Sequence, residues 1–173
     1  MRNKFGLSVF AVATILAFST LSANAQFLAT YGTDNRAKAI GEMTDEVVME
    51  RLRSDGRVAM SGTFFGNDSS ELNDSVSVIL FKVAKAMETL PDTRIAIVGH
   101  SDSVGDFNYN IDLSRRRAES VRNALLKDPY NVAPERLAAV GVGPIDPVAS
   151  NLSVEGRALN RRVVFVVLGD PDK

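Results

Sequence analysis

The chain has 173 residues, with 20 lysines and arginines against 21 acids, one histidine and no cysteine. The absence of thiols excludes a disulfide scaffold, a thiolate metal site, a cysteine nucleophile and a cysteine-linked lipid anchor. A formal charge of −1 at pH 7 argues against general nucleic-acid binding, which needs a basic field.

Arg2 and Lys4 precede an almost wholly apolar run over 5–21, and Ala23-Asn24-Ala25 then puts small residues at both key positions of a cleavage site. This pattern predicts a secretory signal peptide over 1–25, cleaved before Gln26. The alternative is a retained membrane anchor, for which the apolar run is at the short edge of a bilayer span. Cleavage removes two basic residues and no acid, leaving 18 basic residues against 21 acids, or −3. The mature chain is expected not to span a membrane.

Residues 26–35 read as a loose lead-in. Ile40, Met43, Val47, Val48 and Leu52 recur near a 3.6-residue period and predict a helix over 36–53, ended by Asp55-Gly56. A strand follows over 57–65, then a polar loop. Leu72, Val76, Ile79, Leu80, Val83 and Met87 share one helical face, with Ser69 or Ser70 as the expected cap and Pro91 as the stop. Arg94 to Gly99 is a second strand. Ser114 is the expected N-cap of a helix that buries Ala118, Val121, Ala124 and Leu125 and stops at Asp128-Pro129. A helical turn at 134–136, a strand over 137–142, a short helix over 154–160 and a final strand over 161–168 complete the pattern. Strands alternating with helices predict an α/β (α+β) two-layer sandwich, one sheet with helices packed on it. The expected layout is an N-terminal extension with a helix over 26–56, one domain over 57–168 and a tail over 169–173.

Fifteen positions separate Asp102, at a strand exit, from Arg117, at the predicted entry of the following helix. Facing one another across a small cleft, the two suit a ligand carrying an ammonium and a carboxylate together. Each also has a plainer reading: Asp102 capping a turn, Arg117 pairing with a nearby acid. Cations at a helix N-terminus are unfavourable by about 0.3–1 kcal/mol each, so an alternative is that Arg117 joins the free helix N–H groups in holding an anion. Arg115 and Arg116 are expected to face solvent. Spacing alone leaves these readings open.

Enzyme chemistry finds little support. His100, Ser101 and Asp102 are consecutive, and a triad needs its base and nucleophile to converge from separate segments. Asp106, Asn108, Asn110 and Asp112 alternate like a calcium loop, but Ile111 stands where its glycine belongs and Arg117 where its bidentate glutamate belongs. One histidine and no cysteine argue against zinc. No metal and no cofactor are expected, and the chain is not read as an enzyme.

Gly99-His100-Ser101-Asp102, Gly105, Asn110-Ile111-Asp112-Leu113-Ser114, Arg117-Ala118 and Val121 together resemble the peptidoglycan-binding signature of the OmpA-like C-terminal domain family, the OmpA, Pal and MotB type. Gly141-x-Gly143, Pro147, Glu155-Gly156-Arg157 and Asn160-Arg161-Arg162-Val163 match its second half, so the likeness runs from about Arg57 to Leu168. Ser101 stands where threonine is more usual and Val164 where many members carry an acid. The resemblance implies a β-α-β-α-β-type sandwich with a mixed sheet. It also implies non-covalent binding of peptidoglycan through diaminopimelate of the stem peptide. By resemblance, Asp102 holds the ammonium, Arg117 the carboxylate, Asn110 supports the loop and contacts the ligand, and Arg161 and Ser101 add polar contacts. With no preceding barrel segment and no lipidation cysteine, the expectation is a protein of the Gram-negative periplasm, associated with the wall or outer membrane. The alternative is an interaction module of an envelope protein complex, of motor-stator or secretion-system type, with a weak wall site.

Overall fold

Thr44 starts the first helix. In the computed structural model, which describes residues 43–61, 64–66 and 68–169, the Thr44 hydroxyl accepts from the Val47 N–H, and helix α1 runs Asp45–Ser54. Asp45 and Glu46 lie in its first turn and Arg51 and Arg53 in its last, which suits the helix dipole at both ends. The predicted helix over 36–53 is therefore α1 from Asp45 onward, because Thr44 is extended (φ −72°, ψ 163°). Residues 36–42 and the predicted signal peptide lie outside the described residues.

Strand β1 (Arg57–Ser61), helix α2 (Val76–Thr89), strand β2 (Arg94–His100) and helix α3 (Phe107–Leu125) follow. A 3-10 turn at Pro134–Arg136 then leads into strand β3 (Leu137–Gly143), helix α4 (Val154–Asn160) and strand β4 (Arg162–Leu168). The sheet order is β1-β4-β2-β3. β2 and β3 are parallel and joined by α3, while β4 runs antiparallel to both β1 and β2. This is the expected sandwich with a mixed sheet. β4 lies between two strands, and its Val163, Val164 and Phe165 are all buried, as expected of an interior strand covered by helices. Met60, Ile95, Ile97 and Phe165 of the sheet meet Ile79, Val83 and Met87 of α2 and Ala118, Val121 and Leu125 of α3. Val48 and Leu52 of α1 join the same cluster. Each large apolar side chain buried this way contributes about 1.5–3 kcal/mol.

Three boundaries depart from the periodicity. Within the described residues β1 ends at Ser61, and Phe65 instead makes an isolated bridge to Leu72. That bridge takes Leu72 out of the helix it was expected to open. The Asn73 side chain accepts from the Ser75 N–H, and α2 begins at Val76. Ser69, an expected cap, accepts from the Glu71 N–H in the loop instead. The largest departure is α3. Its N-cap is Asp106, whose carboxylate accepts from the Tyr109 N–H, and the polar run Asn108–Asp112 is already helical.

Ser114 is therefore no cap. It is fully buried, its hydroxyl donates to the Ile111 carbonyl and accepts from the Gly143 N–H at 2.9 Å. It fastens α3 to the end of β3.

Candidate functional site

A cleft of about 430 Å³ opens beside the C-terminal end of β2, between the loop after it, the face of α3, residues Phe64, Phe65, Gly66 and Asp68, and the α4–β4 junction. Asp102, Asn110, Arg117, Arg161 and Ser101 all border it, so the fold brings together the five residues singled out in the sequence.

Asp102 is 9% exposed. Its Oδ1 accepts from the Val104 N–H at 2.9 Å, the turn-capping role expected of an Asp at this kind of position. Its Oδ2 accepts from the Arg161 guanidinium at 2.7 Å. The two readings of Asp102 are thus not exclusive: one oxygen shapes the loop and the other faces the cleft in an ion pair. Ser101 is held by its N–H on the Gly143 carbonyl, and its hydroxyl donates to the Asp102 carbonyl at 2.8 Å. Asn110 donates to the Val104 carbonyl at 2.8 Å, so a helical side chain fixes the loop that presents Asp102.

Arg117 is 8% exposed and lies mid-helix, ten residues beyond Phe107. At about 1.5 Å per residue this is roughly 15 Å from the helix start. The anion site shared between Arg117 and free helix N–H groups is therefore ruled out by geometry, as is the arrangement of three arginines at a helix entry. Arg115 bridges Asp112 and Glu119, and Arg116 pairs with Asp112, one turn away; these half-exposed pairs contribute little each. Arg117 points the other way. Its Nε donates to the Ser69 carbonyl at 2.9 Å and its Nη2 to the Gly66 carbonyl at 3.4 Å, and the guanidinium lies 5.1 Å from the centre of the Phe65 ring. Its hydrogen-bond acceptors among the described residues are carbonyls, not a carboxylate. Burial, and then the charge of Arg161, push its pKa below the ordinary arginine value. A cation desolvated in this way gains from an incoming anion.

Arg161 sits at the turn from α4 into β4 rather than in the strand, as the cap of α4. Arg162, one residue on, also borders the cleft but has a different partner. It is buried and donates to the Asp146 carbonyl and carboxylate.

Several contributors, or the roles they play, escaped sequence reasoning. Phe65 stacks on Arg117 from 52 positions away. Tyr109 donates to the Asp68 carboxylate at the cleft mouth, and that bond raises the tyrosine pKa. Asn160 is fully buried: it accepts from the Val148 and Ala149 N–H groups and donates to the Ala149 carbonyl and to Asn151 Oδ1. Asn151 Oδ1 also accepts from the Ser103 N–H. The 148–151 loop is thus tied to the Asp102 loop. The adjacent aromatic pair Phe64-Phe65 was the one visible cue to the Arg117 stack.

The OmpA family matches residues 64–161, more than half of the chain and most of the residues that line the cleft. The chain belongs to the OmpA family. Peptidoglycan-binding protein ArfA of Mycobacterium tuberculosis is 43% identical over 103 residues, covering 60% of this chain and 31% of that protein. The chain thus spans about a third of this curated relative's length. Among solved structures, the peptidoglycan-associated lipoprotein of Burkholderia pseudomallei is similar at a TM-score of 0.56 and 31% identity, over 64% of this chain and 89% of the other. The periplasmic domain of Helicobacter pylori MotB is similar at 0.60 and 26%, over 68% and 75%.

In this OmpA-family domain, His100 closes β2 at the cleft floor. Its ring is buried and donates from Nδ1 to the Ile145 carbonyl at 3.3 Å. Burial, reinforced by Arg162, pushes its pKa below the ordinary 6.5. As pH falls below about 6.5, the unfolded chain takes up a proton that the folded chain still refuses. The unfolded state then binds more protons, and stability falls until the lower folded pKa is passed. His100→Asn should therefore flatten the decline in urea midpoint between pH 7 and pH 5; identical slopes for wild type and variant would refute the assignment.

Proposed function

We propose that this chain is a non-covalent peptidoglycan-binding protein of the cell envelope, recognising the zwitterionic end of diaminopimelate on a stem peptide. One observation carries the reading: an anchored carboxylate, Asp102, and an anchored guanidinium, Arg117, border a single cleft. In this reading Asp102 takes the ammonium and Arg117 the carboxylate, a charge-assisted pairing on each side. Ser101, Asn110 and Arg161 add further polar groups to the lining. Family membership and the relatives' wall-associated names support it. The site acts as a binding site, not a hydrolase, and the chain works in the periplasm of a Gram-negative envelope. Affinity is modest, since desolvating the charged groups offsets much of the gain.

Co-sedimentation with purified sacculi tests this. The protein should pellet with the wall and be released by free meso-diaminopimelate. Failure to pellet, or release of muropeptides on incubation, would overturn the reading.

A second reading is an interaction module of an envelope complex. The similarity to the MotB periplasmic domain favours it, as does the pair of exposed apolar residues Val78 and Phe81 on the outer face of α2. Capture from envelope extracts that persists after wall digestion supports this alternative.

A further inference from the structure

The cleft's carboxylate is already engaged. Arg161 Nη1 lies 2.7 Å from Asp102 Oδ2, and the two side chains differ sharply in exposure, 44% for Arg161 against 12% for Asp102. Asp102 is fixed, because its other oxygen is held by the Val104 N–H. Arg117 is fixed as well, by two carbonyls and an aromatic ring. Arg161, reaching in from solvent at the α4–β4 turn, is the member of the trio with room to move.

An ammonium arriving at Asp102 must displace this guanidinium or share the carboxylate with it. A ligand that is only an amine exchanges one ion pair for another. It also adds a third positive charge beside Arg117 and Arg161, against the negative charges of Asp102 and Asp68. A ligand with a carboxylate next to its ammonium behaves differently. Its carboxylate, held by Arg117, also faces the displaced Arg161 across the same cleft, so Arg161 regains an anion and the local charge balance is unchanged. Specificity of this kind comes from a repulsive element set against the wrong ligand as much as from attraction to the right one.

We propose that Arg161 is a specificity-determining counter-ion that occupies Asp102 in the empty cleft and yields it only to an amine bearing an adjacent free carboxylate. The inference rests on the diaminopimelate reading and sharpens it. The ligand is the unamidated, un-crosslinked end of a diaminopimelate side chain, and a lysine side chain, or a diaminopimelate whose second carboxyl is amidated, is rejected by the same cleft.

Isothermal titration calorimetry separates the possibilities. The probes are two otherwise identical stem tripeptides, one with meso-diaminopimelate and one with lysine at the third position, titrated into wild type and Arg161→Gln. Wild type should prefer the diaminopimelate peptide. In Arg161→Gln the lysine peptide should bind about fivefold more tightly than to wild type, the scale of a half-exposed ion pair removed, while the diaminopimelate peptide weakens. An arginine that served as a ligand contact alone would weaken the diaminopimelate peptide and leave the lysine peptide unchanged. That result, or a weaker lysine peptide, overturns the counter-ion role. If wild type fails to bind the diaminopimelate peptide, the wall-binding reading itself is lost.

Discussion

Arg117→Ala is expected to lower retention on purified sacculi by about a hundredfold, the scale of the ~3 kcal/mol that losing one partner of a buried charged contact costs. The expectation follows from how the guanidinium is held. Nε and one N–H of Nη2 are spent on the Ser69 and Gly66 carbonyls, and Phe65 supports the plane. An arginine carries five such N–H groups, and those not spent on the loop are available to a ligand carboxylate. The anchorage does two jobs, because it also ties Gly66 and Ser69 to α3. Arg117→Lys separates them. It keeps the charge but cannot span both carbonyls and a ligand, since an ammonium lacks the planar fork, and it should lose at least about tenfold. Asp102→Asn should fall between, because the amide still caps the Val104 N–H but offers no charge to an ammonium. Unfolding midpoints measured on the same samples distinguish a lost contact from a lost fold. Wild-type retention by Arg117→Ala would remove Arg117 from the site.

Gly141→Ala is expected to destabilise the domain by about 3 kcal/mol or more, the upper range for forcing atoms into a packed interior. Helix α3 lies directly on the parallel pair β2–β3. A Cβ on Gly141 would come within 2.5 Å of the Arg115 Cα, and one on Gly99 within 2.9 Å of the Ser114 carbonyl carbon. Those neighbours are helix backbone, so no side-chain rotation relieves the overlap. The whole helix must lift, and with it Arg117, Asn110 and Ser114. Against a total stability of about 5–15 kcal/mol for a domain of this size, the loss is a large fraction. Gly56→Ala provides the contrast. Gly56 has φ +65° with nothing within 4 Å of the added carbon, so only the left-handed backbone is strained, at about 1–2 kcal/mol. Urea denaturation of both variants checks the ranking. Equal losses would mean that close approach of α3 to the sheet is not what Gly141 provides.

The elements with long apolar periodicity were legible in the sequence. α2, β2, β3, α4 and β4 fall within a few residues of where the pattern placed them, since burial of one face or of a whole strand writes itself into residue order. The start of α3 was hidden because its first two turns alternate Asn108, Asn110 and Asp112 with Phe107, Tyr109 and Ile111 instead of showing a 3.6-residue apolar period, and Asn110 faces the cleft loop rather than a hydrophobic layer. A run of Asp and Asn reads as a loop when those side chains are taken to bond their own backbone. Here Asp106 does so as a cap, while Asn110 bonds a carbonyl six residues back. Misplacing the helix start also misplaced the three arginines, whose different fates depend on the direction each takes from the helix: 115 and 116 outward to Asp112, 117 inward to the Gly66 and Ser69 carbonyls.

The sequence by itself determined the fold class, the family signature and five of the polar residues around the cleft, because those follow from periodicity and from spaced motifs within single segments. The tertiary structure decided what each group is bonded to. Phe65 under Arg117, Arg161 on Asp102 and the Asn160–Asn151 link to the Asp102 loop join residues 52, 59 and 9 positions apart. The two longest of these partnerships depend on how β1, β2 and β4 are ordered in the sheet and how closely α3 lies on it, geometry that residue order encodes only through the packing of the whole domain.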